Sequence, residues 1–207
     1  ASSIAENAGS SLTITATLSG AAKEAVTVSL STSSTATEGT DYTDGSGNID
    51  DITISAGSTT GTVNFTPTDD SVYEGNETAT IAISGVSGAD ATENGTQTVT
   101  ITVTENESAP TITLARSAAS IDENSDSTIT LTATISGVTD SAVTVALSTS
   151  GTATEGTDYG TISDITISAG ATTGTATLDP TDDNVYEGDE TATIDISSVS
   201  GKSGVTE

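Results

Sequence analysis

The chain repeats itself. Ser3-Ile4-Ala5-Glu6-Asn7 returns as Ser120-Ile121-Asp122-Glu123-Asn124, and Thr35 to Tyr42 returns as Thr152 to Tyr159, in each case 117 positions later. Ile52 to Gly57 then returns as Ile165 to Gly170, only 113 positions later. Self-similarity at one long period means two copies of one folding unit, not a single large core. Four residues are missing from the second copy opposite the stretch from Thr43 to Asp50, which marks a surface loop, where length changes are tolerated. We read the units as residues 1–107 and 108–207, joined by the short connector Glu107-Ser108-Ala109-Pro110.

Within each copy apolar residues alternate with Thr and Ser at period two, as in Leu12, Ile14, Ala16, Leu18 and in Val99, Ile101, Val103. That is the pattern of a half-buried strand, and no helical periodicity competes with it. The spacing predicts strands at 12–19, 26–32, 49–55, 61–66, 78–84 and 96–104. Turn pairs such as Ser19-Gly20 and Asn94-Gly95 lie between them. The fold class is all-β: two tandem antiparallel β-sandwiches of about seven strands each, with a barrel as the main rival. The first strand of unit one falls mostly before Ala1, whereas unit two has its own at 111–115. Unit two stops where unit one has Asn94 to Glu107, so its last strand is missing. This describes a window on a longer array. The alternative is a subunit that polymerises by donating strands.

Three Lys and Arg against thirty Asp and Glu leave a net charge of −27, which excludes nucleic acid and anionic membrane surfaces as partners and points to cations. With no cysteine and no histidine there are no disulfides, no thiolate metal sites and no usual zinc ligand or general base. Hard, oxygen-bound cations remain. No apolar run approaches the roughly 20 residues of a membrane span. An acidic, Cys-free, Thr- and Ser-rich chain suits an extracellular, cell-surface setting in bacteria, where calcium is millimolar.

The acids are placed, not scattered. Thr68-Asp69-Asp70-Ser71-Val72-Tyr73-Glu74-Gly75-Asn76-Glu77 recurs as Thr181-Asp182-Asp183-Asn184-Val185-Tyr186-Glu187-Gly188-Asp189-Glu190. Carboxylates this dense repel one another unless solvated apart or bridged by a cation. Each strand reverses the chain, so parity brings Glu6, Asp41, the 69–77 loop and Glu105-Asn106-Glu107 to one end of unit one. In unit two it gathers Glu123, Asp158 and the 182–190 loop. Such an end offers the 6–8 oxygens that Ca²⁺ takes, whereas Mg²⁺ prefers fewer carboxylates and keeps its water.

These ordered motifs resemble the Calx-beta family, the immunoglobulin-like calcium-binding domains of sodium/calcium exchangers that also occur as repeats in large surface proteins. The resemblance implies an immunoglobulin-like sandwich and Ca²⁺ as the bound ion. It carries over Glu6, Asp41, Asp69, Asp70, Glu74, Glu77, Glu105 and Glu107 as ligand positions. In the second copy the matching positions are Glu123, Asp158, Asp182, Asp183, Glu187 and Glu190. The departure is at Glu105-Asn106-Glu107, where the family often has consecutive aspartates.

Two smaller features read as structure. Asp44-Gly45-Ser46-Gly47-Asn48-Ile49 is a hairpin loop, because Ile49 stands where an EF-hand needs glycine. Tyr42, Tyr73, Tyr159 and Tyr186 read as caps over the loop end of each core. With no catalytic group beyond carboxylates the chain is read as no enzyme. The expected role is a calcium-stiffened spacer in an adhesin or surface filament, its partners calcium ions and neighbouring repeats or identical subunits. The alternative is a calcium-responsive binding or sensing module.

Overall fold

A computed structural model describes residues 3–207. Among them are sixteen strands and no helix: β1 (Ser3–Ala5), β2 (Leu12–Thr17), β3 (Val26–Ser34), β4 (Tyr42–Thr43), β5 (Ile52–Ile54), β6 (Thr60–Pro67), β7 (Val72–Tyr73), β8 (Glu77–Ser87), β9 (Thr98–Thr104), β10 (Ile112–Arg116), β11 (Ile129–Ile135), β12 (Val138–Thr139), β13 (Val143–Gly151), β14 (Ile165–Ile167), β15 (Thr173–Leu178) and β16 (Ala192–Ser200). The chain forms two compact units. One runs up to Asp70 and resumes at Asn76–Asn106, and the other takes Ser71–Gly75 with Glu107–Glu207.

In the first unit a five-stranded sheet, ordered β1-β9-β8-β3-β5, faces a three-stranded sheet, β2-β6-β4. All its ladders are antiparallel except β1 on β9, which is parallel. Period-two alternation does the sorting: Val26, Val28, Ile52 and Ile54 point inward and are buried against Ile14, Ala16 and Val63, while the intervening Thr and Ser face out. Beside them Tyr42 of β4 and Phe65 of β6, both fully buried, stack with ring centroids 4.5 Å apart.

The second unit repeats this plan with β14-β13-β16 against β10-β11-β15. Ile135, Val143, Val145, Ile165 and Ile167 form its buried centre, with Tyr159 in the place of Tyr42. It also contains the short parallel pair of β7 and β12. Both copies carry a bulge at the same position: Ser84 of β8 is the extra residue opposite Ser29 and Leu30 of β3, and Ser197 of β16 the extra residue opposite Ala146 and Leu147 of β13. On the strand facing each bulge, the amide just past the register shift is met by a side chain. Here an aspartate supplies the acceptor: the Leu30 N–H donates to Asp51 Oδ1 at 3.0 Å and the Leu147 N–H to Asp164 Oδ1 at 3.1 Å.

The period-two reading locates the main strands to within a few residues. It overextends the 49–55 strand, of which only Ile52–Ile54 pairs, and it does not anticipate the two-residue β4, β7 and β12. The tyrosines divide. Tyr42 and Tyr159 cap their cores at 0 % and 3 % exposure, but Tyr186 is 98 % exposed and so caps nothing, and Tyr73 is only half-buried in β7. The physical reason is a partner strand: Val72–Tyr73 pairs with Val138–Thr139, whereas the matching Val185 and Tyr186 lie in a loop with no ladder among the described residues.

Candidate metal centre

The acids fall into two structural classes that the sequence does not separate. Glu38, in the repeated Thr-Glu-Gly-Thr-Asp-Tyr motif, accepts the Thr32 hydroxyl at 2.8 Å and the Ile49 N–H. Its counterpart Glu155 accepts the Thr149 hydroxyl at 2.8 Å and the Ile162 N–H at 2.9 Å. With Asp51 and Asp164 these carboxylates are used up on the fold, satisfying backbone and hydroxyl donors that would otherwise lack partners. Asp44 belongs here too. Hydrogen bonds from the Ser46 and Gly47 amides and the Ser46 hydroxyl close its loop and hold its carboxyl below the ordinary value, as a turn requires.

The second class faces other carboxylates. In the second unit Glu123, Asp183 and Glu187 each place one oxygen within 4.8 Å of the other two, and Asp158, Glu187 and Glu190 do the same. Glu187 belongs to both trios. The fold brings them together from three stretches. Glu123 follows the Ser120-Ile121 segment, and Asp158 sits in the turn that Tyr159 anchors in the core. The remainder lie on the loop between β15 and β16. Two backbone contacts fix this arrangement: Asp158 accepts the Thr154 N–H, and Glu123 Oε1 accepts the Asp183 N–H at 3.1 Å.

The first unit shows the same juxtapositions. Carboxylate oxygens of Glu6 and Asp70, of Asp41 and Glu77, and of Glu6 and Glu105 approach within 4.8 Å. Glu6 and Asp41 are only 6 % and 8 % exposed, the two buried carboxylates among the described residues. Asp41 accepts the Thr37 N–H, as Asp158 does its counterpart. Glu74 lies on the Ser71–Gly75 stretch and Glu107 opens the Glu107–Glu207 stretch, both grouped with the second unit. Asp69 and Asp182 stand outside these groups.

Electrostatics at the second unit's trios are unfavourable without a counterion. Glu187 is held above the usual glutamate value, first by loss of solvent where the loops crowd and then by the charges of Asp158, Asp183, Glu190 and Glu123. Glu190 is raised likewise, by desolvation, by the charge and hydrogen bond of Asp158, and by Glu123. A carboxyl that keeps its proton more tightly when folded favours the fold in its protonated form. Its contribution is therefore complete below the ordinary glutamate value of 4.5 and is lost as pH rises through the higher folded value. In chelator, amide exchange at residues 181–190 is expected to quicken as pH is raised through that range, after correction for intrinsic exchange rates. Protection that instead grows would show that the trios are not in mutual repulsion.

What three mutually close carboxylates can do chemically is hold a hard cation or share a proton. The donor set is all oxygen, from Asp and Glu, with no histidine or cysteine in the chain. Two adjacent trios joined by one bidentate-capable glutamate suit a large ion with flexible coordination better than one that demands a small octahedron. No helix among the described residues is long and apolar enough to cross a membrane.

Comparison with known proteins follows this geometry. The Calx-beta domain family model matches residues 2–107 and again 105–206. A search of curated proteins finds no match. Similar solved structures include two of tandem domains. The crystal structure of CBD12 from CALX1.2 has 19 % identity, covers 86 % of this chain and 71 % of its own, and gives a TM-score of 0.41. That of calcium binding domain CBD12 of CALX1.1 has 18 % identity, covers 85 % and 71 %, and gives a TM-score of 0.43.

Proposed function

The chain belongs to the Calx-beta family, and from that premise we propose that each of its repeats binds calcium and that the pair is a calcium-set spacer in an extracellular surface protein. The observation that carries the first half is the double trio around Glu187, with the matching juxtapositions of Glu6 with Asp70 and Asp41 with Glu77 in the other copy. One carboxylate cluster is an ordinary feature of an acidic surface. The same cluster assembled twice, from the same sequence positions, around backbone contacts that orient the carboxylates, supports the calcium reading. Ligands in the first copy are Glu6, Asp41, Asp69, Asp70, Glu74, Glu77, Glu105 and Glu107, and in the second Glu123, Asp158, Asp182, Asp183, Glu187 and Glu190. Asp69 and Asp182 enter through the charge of the loop or through water.

The spacer role is supported by tandem repetition and by a chain whose recurring chemistry is confined to carboxylates. Titration calorimetry tests the calcium reading directly. Calcium uptake is expected in both units, with magnesium at equal concentration displaced by it. Absence of any calcium heat, with the protein folded, would overturn the reading. Small-angle scattering with calcium and with chelator tests the spacer, which requires that the loaded chain be the less flexible of the two.

One observation favours a second reading, a binding or sensing module. Tyr186 and Val185, 98 % and 61 % exposed, stand on the loop that carries Asp183 and Glu187, and their counterparts Tyr73 and Val72 are partly buried. An apolar tip on a metal loop is a surface whose presentation changes when the ion binds.

A further inference from the structure

We propose that Asn94, in the connection between β8 and β9, is a site of spontaneous covalent modification that converts it to isoaspartate or aspartate and loosens the start of β9. The Gly95 nitrogen forms a bond to Asn94 Cγ, the Cγ–Nδ2 bond breaks, and the departing amino group takes the proton lost by Gly95 and leaves as ammonia. Water is the only co-reactant. It adds to one of the two carbonyls of the cyclic imide. Opening at Cγ leaves an aspartate side chain, whereas opening at the main-chain carbonyl leaves isoaspartate, whose backbone runs through Cβ and Cγ and is one carbon longer.

Ring closure needs an unscreened nitrogen whose N–H is not engaged and a side chain able to turn onto it. Asn94-Gly95 is the one Asn-Gly pair in the chain. Both residues are exposed, Gly95 has a φ of +69°, and nothing packs where its side chain would be. Among the described residues neither the Asn94 side chain nor the Gly95 N–H makes a hydrogen bond. The turn is held from elsewhere: Gln97 Nε2 donates to the Asn94 carbonyl and the Gln97 N–H to Glu93 Oε1, both at 2.8 Å.

Other candidates lack this freedom. The amide after Asn124 donates to the Asp122 carbonyl at 3.0 Å, that after Asn7 to the Ala5 carbonyl at 3.1 Å, and that after Asn184 to Asp183 Oδ1 at 2.6 Å. Such an amide must give up its hydrogen bond before it can attack. Asp44-Gly45, which the same closure would isomerise with loss of water, is locked on both sides. Its carboxylate accepts the Ser46 and Gly47 amides and the Ser46 hydroxyl, and the Gly45 N–H donates to Thr43 Oγ1 at 3.1 Å.

Modification at Asn94 reaches the sheet through Gln97, whose carbonyl accepts the Ile83 N–H of β8 at 3.2 Å. Isoaspartate lengthens the main chain between Glu93 and Gln97 and sets a new negative charge next to Glu93. Both Gln97 contacts to the turn are then lost.

The test is incubation of the full 207-residue chain in calcium at neutral and mildly alkaline pH, with a parallel sample in urea and chelator. Peptide mapping reads conversion, and an L-isoaspartyl methyltransferase with a labelled methyl donor reads isoaspartate. In the folded chain Asn94 is expected to convert at least about tenfold faster than any other asparagine, and faster still as pH rises, because the attacking nitrogen must lose its proton. Unfolding should speed Asn124 and Asp44 at least about tenfold but Asn94 less than about threefold, since only the former are held closed by the fold. The isoaspartate form should exchange the Ile83 amide at least about tenfold faster. Asn94→Gln, whose longer side chain closes a larger ring slowly, should stay unmodified and keep that protection. The proposal is overturned if the fold shields Asn94 as strongly as Asn124, if another asparagine converts first, or if Asn94→Gln acquires isoaspartate at the parent's rate. Unchanged Ile83 exchange in the modified chain would overturn the loosening of β9.

Discussion

In millimolar calcium each unit is expected to melt roughly 10–20 °C above its midpoint in chelator. The argument starts from charge. A net charge of −27 on 207 residues is repulsive everywhere, and it is worst where Glu123, Asp158, Asp183, Glu187 and Glu190 meet. The cores opposing that repulsion are built from Val, Ile, Ala and Thr, with aromatic residues only 2 % of the chain. An ion that binds the folded unit alone adds about 2.7 kcal/mol when its concentration is a hundredfold above its dissociation constant. For a domain of about 100 residues each kcal/mol moves the midpoint by about 4–8 °C. A scan in calcium, in chelator, and in chelator with equivalent ionic strength separates site binding from general screening, which acts over a Debye length of about 8 Å at physiological salt. Equal midpoints in the first two, or a full recovery by salt alone, would show the acids to be a solvated face.

Much of the architecture was legible because period two is a strong signal when strands have one face inward. Leu12, Ile14, Ala16 and Leu18 announce a strand, and so do Ile129, Leu131, Ala133 and Ile135 at the matching positions. Their environments were not legible. Ile129, Leu131, Ala133 and Ile135 are buried beneath β10, but Leu12, Ile14, Ala16 and Leu18, with no strand paired on that side among the described residues, are only half-buried. Burial depends on a neighbour far along the chain, which a local pattern does not encode. The same limit explains Tyr186, whose exposure follows from the lack of a ladder, not from its own sequence, which is that of Tyr73.

The site was legible as a cluster and illegible in its division of labour. Repetition marked Glu38, Asp41 and Asp51 equally, since Asp51 returns as Asp164, because a carboxylate that binds backbone donors is written in the same letter as one that meets other carboxylates. Only hydrogen-bond partners tell them apart: Glu38 and Asp51 are surrounded by donors, and Glu187 and Glu190 by acceptors. Donors around a carboxylate stabilise its charge without help, whereas acceptors around it call for a cation or a proton.

That distinction predicts a crossing in the effect of Glu187→Gln. Glutamine keeps the size of the side chain and one carbonyl oxygen but removes a negative charge from both trios at once, since Glu187 alone belongs to both. In chelator the substitution removes repulsion from Asp158, Asp183, Glu190 and Glu123, the neighbours that hold this carboxyl above its ordinary value. The apo second unit should then be as stable as the parent or more so. In calcium the sign reverses. Each ion loses a charged ligand, which should cost at least the roughly 10–100-fold in affinity that follows loss of a ligand's supporting partner. Much of the calcium-dependent rise in the second unit's midpoint should disappear while the first unit's rise remains. Asp164→Asn is the contrasting control, because it weakens the acceptor of the Leu147 N–H at the bulge and should destabilise the second unit alike with and without calcium. Exchange protection read separately for residues 3–70 and 110–207 assigns each effect to its unit. If Glu187→Gln lowers stability equally in both conditions, Glu187 is a structural carboxylate of the Glu155 kind and the double trio holds no ion.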